Sequence, residues 1–345
     1  MTLHLHNPRT PLLSGLATLD WLGVLTIVSA AVLLLVGLQE GSSTSYKFPL
    51  VITLLVLGSL LSVTFPATQW WQEKADGDPV LPLRIFKDIS NLSALSVCAC
   101  DALAFNSVAY FLPLYFQIVL DRSPTITGVY MLAVAVPLTV VSFASGFVME
   151  KTGRFLEVLQ AGLSIMTLGV GLLISLQVSD SIGKIIAILV VLGIGFGPNF
   201  GAPLIALQTR VRESDMATGT AAFGFVRMMF GAIGVVAGQV VFQLLITPHL
   251  DDFIGAGIAP EIANQLARGA AVSLTQTVAA LPQEQRDVVR HGMTCALKGT
   301  WILYTVVSGL GFLVSFGINR TRLQREAVCE SGVEMVDGER SGSSG

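Results

Sequence analysis

The chain has 345 residues, 52% of them hydrophobic and only 12% charged, with a mean hydropathy of +0.71. Soluble domains carry about a quarter charged residues, so this composition excludes water as the main solvent, and a net charge of −3 leaves no basic footprint for nucleic acid. The four cysteines, Cys98, Cys100, Cys295 and Cys329, lack disulfide or metal-ligand spacing, so neither a stapled secreted domain nor a zinc module is expected.

Residues 1–19 contain two histidines, prolines and polar residues but no compact apolar core beside a cleavage site, so they do not read as a secretory signal peptide. A helix crosses the hydrocarbon in roughly 20 apolar residues. Eight such runs follow in chain order: Trp21 to Leu38, Phe48 to Phe65, Leu95 to Ile118, Ile126 to Met149, Val158 to Leu176, Ile185 to Leu207, Thr220 to Ile246 and Trp301 to Ile318. The fold class is therefore an all-α integral membrane protein of about eight transmembrane helices. An even number of spans puts both termini on one side. Arg9, Lys74, Arg84, Lys87, Lys151, Arg154, Arg210, Arg212 and the cluster Arg320, Arg322 and Arg325 assign that side to the cytoplasm. The outer segment 247–300 is broken by Pro260 and Pro282 and reads as short surface helices, for instance over Glu261 to Ala280. Residues 319–345 turn acidic and then Ser/Gly-rich, the composition of a disordered cytoplasmic tail.

Six runs contain no Asp, Glu, Lys or Arg; the other two carry Asp101 and Arg227. An ionisable group in hydrocarbon costs several kcal/mol unless it is paired or hydrated. Both residues lie roughly 10–15 Å from the cytoplasmic ends of their runs at 1.5 Å per residue, a depth that permits a charge pair. In that pair Asp101 exchanges a proton and Arg227 is its electrostatic partner or contacts an anionic substrate. A purely structural pair, or an Arg227 that snorkels to the interface, is the alternative.

The sixth run places Gly193, Gly197 and Gly201 at a spacing of four, a packing groove. Pro198 removes a helical hydrogen bond, which leaves Asn199 and a freed carbonyl to face a cavity. Gly231, Gly234 and Gly238 repeat the small-residue theme in the seventh run. Tyr115 and Gln117 close the third run beside Pro113, either as contacts to an apolar substrate or as interfacial anchors. The turn Gly146, Glu150, Lys151, Gly153, Arg154 suits an ionic latch between helix ends or an ordinary solvated turn. The histidines His4, His6, His249 and His291 fall outside the runs, so no enzymatic centre, cofactor or metal is expected.

These motifs, in this order, resemble the major facilitator superfamily, in particular the fourteen-span drug:proton antiporter branch of fungal efflux pumps. The turn from Gly146 to Arg154 looks like the second-half copy of the family's cytoplasmic loop signature. Asp20-Trp-Leu-Gly23 looks like the start of its extra linker pair. Leu112-Pro113-Leu-Tyr115-Phe-Gln117, the stretch from Gly193 to Gln208, and Arg227 before a glycine-rich run are also similar to that branch. The resemblance implies a linker helix pair over 20–71, a cytoplasmic loop over 72–90 and a six-helix C-terminal transporter half over 91–318. It further implies proton-coupled efflux of small amphipathic molecules such as drugs, toxins or secondary metabolites at the plasma membrane. Tyr115, Gln117, Asn199 and Gln208 are then the candidate substrate contacts. The implied partners are the bilayer, protons and a small-molecule substrate. A full member has six further spans, so the expectation is a truncated pump or a chain working with a partner that supplies the first half; a non-transporting remnant or accessory subunit is the alternative.

Overall fold

The computed structural model describes residues 20–43, 48–74, 84–212, 215–267, 278 and 281–319. The expected N-terminal segment and nearly all of the C-terminal tail lie outside these. The elements are α1 (Trp21–Ser43), α2 (Pro49–Lys74), α3 (Arg84–Lys87), α4 (Ile89–Leu114), α5 (Pro124–Thr152), α6 (Phe155–Leu173), α7 (Ile182–Asn199), α8 (Ala202–Gln208), α9 (Met216–Ile246), α10 (Leu250–Gly255), α11 (Pro260–Ala267) and α12 (Gln283–Ser315). Eight helical stretches are long and apolar enough to cross a membrane. Among the described residues every regular element is helical.

Local chemistry fixes the helix ends. Asp88 accepts from the Ser90 N–H at 2.9 Å and caps α4, and Ser123 caps α5 with Pro124 in the first turn. Gly153 ends α5 at φ 68°, a left-handed conformation that costs a residue with a Cβ about 1 kcal/mol or more. Pro113 lacks the N–H that α4 needs, and within one turn the helix widens into a π-helical turn, Tyr115–Val119, where the Leu120 N–H reaches the Tyr115 carbonyl at 3.2 Å.

α4 is the central helix, with α9 on one side, α12 on another and α8 against its first half, while α12 also packs on α6, and α7 lies between α5 and α6. α4 and α9 run parallel. Gly231 faces Asn106, Gly234 faces Leu103 and Ser107, and Gly238 faces Phe111 and the Tyr304 hydroxyl. With no side chain there, Tyr304 donates to the Gly234 carbonyl at 2.7 Å, joining α12 to α9. Gly193 and Gly197 let α7 approach α5 at Val134 and Leu138, and Gly195 lets it approach Met166 of α6. Gly201 has open space around it, because it follows the end of α7. The expected three-glycine groove therefore contains two, with Gly195 serving another neighbour.

α1 and α2 form a hairpin. Asp20 explains the Asp20-Trp-Leu-Gly23 motif: one carboxylate oxygen accepts from the Gly23 N–H at 2.8 Å and the other from Gln69 Nε2 at 2.8 Å. It caps α1 and ties it to α2 while only 5% exposed.

Of the segment 247–300, residues 247–267, 278 and 281–300 are described, so most of the stretch from Glu261 to Ala280 expected as a surface helix lies outside the described residues. α10 and α11 are short helices there, and the last third of the segment is the start of α12, which runs unbroken from Gln283 into the bundle. Phe253, Ile258, Ala263, Leu266, Val289 and Met293 are buried there and give this end its own small core. Asp121, in the loop after α4, holds Arg286 at 2.9 Å and Arg290 at 3.3 Å, tying that loop to α12.

Candidate functional site

Two charges meet inside the bundle. Asp101 lies 12 residues into α4 and Arg227 11 residues into α9, about 18 and 16 Å along their axes. Both helices start a few residues before the apolar runs do. Arg227 Nη2 is 3.5 Å from Asp101 Oδ2, with the carboxylate fully buried and the guanidinium side chain 17% exposed. Asp101 Oδ1 has no hydrogen-bond partner among the described residues.

Arg227 has a second anchor at the break between α7 and α8. Pro198 and Pro203 withhold two backbone N–H groups within six residues, and the helical hydrogen-bond ladder is interrupted at Phe200 and Gly201, both of which keep right-handed φ and ψ. The Phe200 carbonyl accepts from Arg227 Nη1 at 3.2 Å. The Phe200 ring lies under the guanidinium, 4.0 Å from its central carbon to the ring centroid, a cation–π contact. One planar cation thus joins α4, α9 and the α7–α8 break through a carboxylate, a carbonyl and a ring, matching the donor fork and flat face of arginine.

Phe105, one turn along α4 from Asp101, meets Phe200 edge-on at 5.1 Å and Phe196 at 5.2 Å. Beyond Phe105 a cavity of about 270 Å³ opens between α4, α5 and α7, walled by Phe105, Val108, Leu112, Met131, Leu138 and Phe196 among others.

Other expected site residues lie elsewhere. Asn199 turns into the α6–α7 interface, where Nδ2 donates to the Gly195 carbonyl at 3.1 Å and meets Met166 Sδ at 3.4 Å. Phe200, its neighbour, supplies the carbonyl at the break. Tyr115 is buried and donates to the Gln177 carbonyl at 2.9 Å, tying α4 to the loop after α6. Gln208 donates to Thr220 Oγ1 at 3.1 Å near the Arg210 end of the bundle, and Gln117 is half-buried in the π-helical turn. None of the four lines the 270 Å³ cavity. In the turn after α5, Arg154 pairs with Glu157 of its own helix at 3.7 Å and Lys151 lies over the Phe147 ring at 4.3 Å, while Glu150 is exposed. The expected Glu150–Arg154 latch is therefore not formed in this structure. Asp88 and Arg210 approach to 3.9 Å at the same end. Sequence reasoning missed Phe105 and Phe200. Aromatics are abundant in any membrane helix, and the one available signal was the position of Phe200 between Pro198 and Pro203.

The sequence profile of the Major Facilitator Superfamily matches residues 10–235. The chain belongs to the Major Facilitator Superfamily. Within this superfamily it is 39% identical over 334 residues to a protein named efflux pump dotC from Dothistroma septosporum, covering 96% of this chain and 56% of the relative. It is 36% identical to the MFS-type transporter ppz2 of Metarhizium majus, covering 91% of this chain and 54% of that protein. The chain thus spans little more than half the length of the curated relatives it matches. Among solved structures, a bacterial homologue of the human lysosomal transporter Spinster, inward-facing and unoccupied, aligns with a TM-score of 0.48 at 13% identity, over 80% of this chain and 59% of that one. The chain is a multi-pass membrane protein of this superfamily.

Proposed function

We propose that this chain carries the charge-coupling half of a proton-driven exporter of small amphipathic molecules in the plasma membrane. The observation that carries the reading is the Asp101–Arg227 pair, held between two membrane-length helices and joined to a helix break. A structural anchor would be served as well by apolar packing, since replacing a buried ion pair with hydrophobic residues is often neutral or stabilising. A carboxylate that takes up a proton instead loses most of its hold on the arginine, and the arginine is left with the Phe200 carbonyl and ring. Exchange then follows: a proton on Asp101 releases Arg227 toward the α7–α8 break, and loss of the proton draws it back. The superfamily membership and the efflux-pump name carried by a 39% identical relative support this direction of transport. Alternating access in this fold rocks two six-helix halves about a midplane site, so the working unit includes a second half, supplied by a longer chain or by a partner.

The test is efflux of Nile red, a neutral apolar dye, from cells expressing this chain, compared with Asp101→Asn and Arg227→Leu. Efflux that stops when a protonophore collapses the gradient and is lost in both variants supports the reading. Efflux that ignores the gradient defeats proton coupling. Absence of efflux with the protein confirmed in the membrane defeats autonomous export by this chain.

A further inference from the structure

We infer that the cavity between α4, α5 and α7 is a binding site for an uncharged, ring-sized apolar molecule, and that Phe105 relays its occupancy through Phe200 to Arg227. The inference rests on the exporter reading for its place in transport, and on the geometry alone for the site.

The occupant follows from what the walls offer. No Asp, Glu, Lys, Arg or His lines the cavity. Its one lining hydroxyl, Thr139, already donates to the Ala135 carbonyl at 2.8 Å. Asp101, one turn along α4 from Phe105, is fully buried and faces Arg227. A cation entering here would shed water and find no counter-charge, and a polar molecule would find no free donor. Recognition is left to shape and to the faces and edges of Phe105 and Phe196. A volume of about 270 Å³ lies just below the usual range for drug-sized ligands, which suits one substituted ring or a fused pair, or the ring end of a longer molecule whose remainder lies along the open side formed by the exposed Ala109 and Ala135.

The relay follows from the ring contacts. Phe105 is at once a cavity wall and the edge partner of Phe200. Phe200 holds Arg227 by both ring and carbonyl. A ligand pressing on Phe105 pushes it toward the two rings it meets edge-on, Phe196 and Phe200, so occupancy shifts the platform on which the guanidinium rests. Phe105 and Phe200 are positioning residues in this scheme, acting on the charge pair through the Arg227 guanidinium.

The experiment reads protection of an introduced cysteine. Ala109→Cys sits on the exposed edge of the cavity, and its maleimide labelling in lipid nanodiscs is followed by peptide mass spectrometry, which separates it from the native cysteines. The two probes are tert-butylbenzene and its isosteric cation phenyltrimethylammonium. Protection by the neutral probe alone, abolished when Ala135→Phe fills the open side, is the expected result. Protection by both probes or by neither overturns the site. Thr139→Cys, on the opposite wall, is a second reporter and must give the same order.

For the relay, Asp101→Asn is expected to shift the half-protecting concentration of tert-butylbenzene on the order of fivefold, the low end of ordinary coupling between sites. In a Phe105→Leu background the same substitution should shift it less than about 1.5-fold, within the range of independent sites. Equal shifts in the two backgrounds overturn the relay. Protection without Nile red efflux leaves the site and defeats autonomous export by this chain, whereas efflux without protection leaves export and defeats the site.

Discussion

Removing Arg227 should be far more damaging to the bundle than neutralising Asp101, although the two form one pair. At 3.5 Å and an effective dielectric near 20 the attraction is about 5 kcal/mol, and most of it repays desolvation of a carboxylate with no exposure. Arg227→Leu leaves that carboxylate buried, with neither oxygen matched to a positive group, a situation that costs about 3–5 kcal/mol. Asp101→Asn leaves a guanidinium that is 17% exposed and keeps the Phe200 carbonyl and ring, so the loss is about 1–2 kcal/mol. The double variant Asp101→Asn/Arg227→Leu strands no charge and should be more stable than Arg227→Leu alone, giving a coupling of about 2–3 kcal/mol. The assay is unfolding of the four proteins in lipid nanodiscs, followed by tryptophan fluorescence. A loss in Asp101→Asn equal to or greater than that in Arg227→Leu, or strict additivity in the double variant, would refute the reasoning.

Three further outcomes follow from the packing and the ends of the bundle. Gly234→Leu should destabilise by at least about 3 kcal/mol, because even its Cβ would stand 2.6 Å from the Leu103 carbonyl oxygen, whereas Gly201→Ala, in open space, should change stability by less than about 0.5 kcal/mol in the same assay. Asp20→Ala removes the cap of α1 and its bond to Gln69, so amide exchange in α1 and the end of α2 should quicken by roughly tenfold or more, a cap and a buried hydrogen bond being worth about 1–2 kcal/mol together; unchanged protection would show that the hairpin is held by apolar contact alone. Asp121→Ala frees Arg286 and Arg290 from the loop after α4. Tryptic cleavage at those arginines should then accelerate severalfold, with the difference from the parent shrinking at 1 M salt, where the screening length falls to about 3 Å.

How much could be read in advance divides along a physical line. Spans are legible because the bilayer imposes a length and a composition on each segment separately: each of the eight apolar runs overlaps one of the helical stretches long enough to cross, five lie wholly inside, and those ending at Leu176 and Ile318 and the one starting at Phe48 overrun by one to three residues. Their ends are less so: α12 begins at Gln283, well before the apolar run at Trp301, since an amphipathic extension outside the hydrocarbon leaves no uniform hydropathy signal. The glycine pattern marked a close interface at Gly231, Gly234 and Gly238 without showing that α4 is the partner, and it misjudged Gly201, because residues four apart drift about 40° per step on a 3.6-residue helix and α7 ends before Gly201 is reached.

By itself the sequence determined that this protein lives in a membrane, which two residues carry charge within it, and that those two lie at similar depth, since each statement concerns one segment and its solvent. Only the tertiary structure decided that Arg227 reaches Asp101 and Phe200 together, that Asn199 turns toward Met166, and that Phe105 stands between the charge pair and an apolar cavity. These depend on the rotation of each helix about its axis against its neighbours. That rotation is set by side-chain interlock between segments that are 27 to 126 residues apart in these contacts, for which a uniformly apolar sequence has no periodic marker.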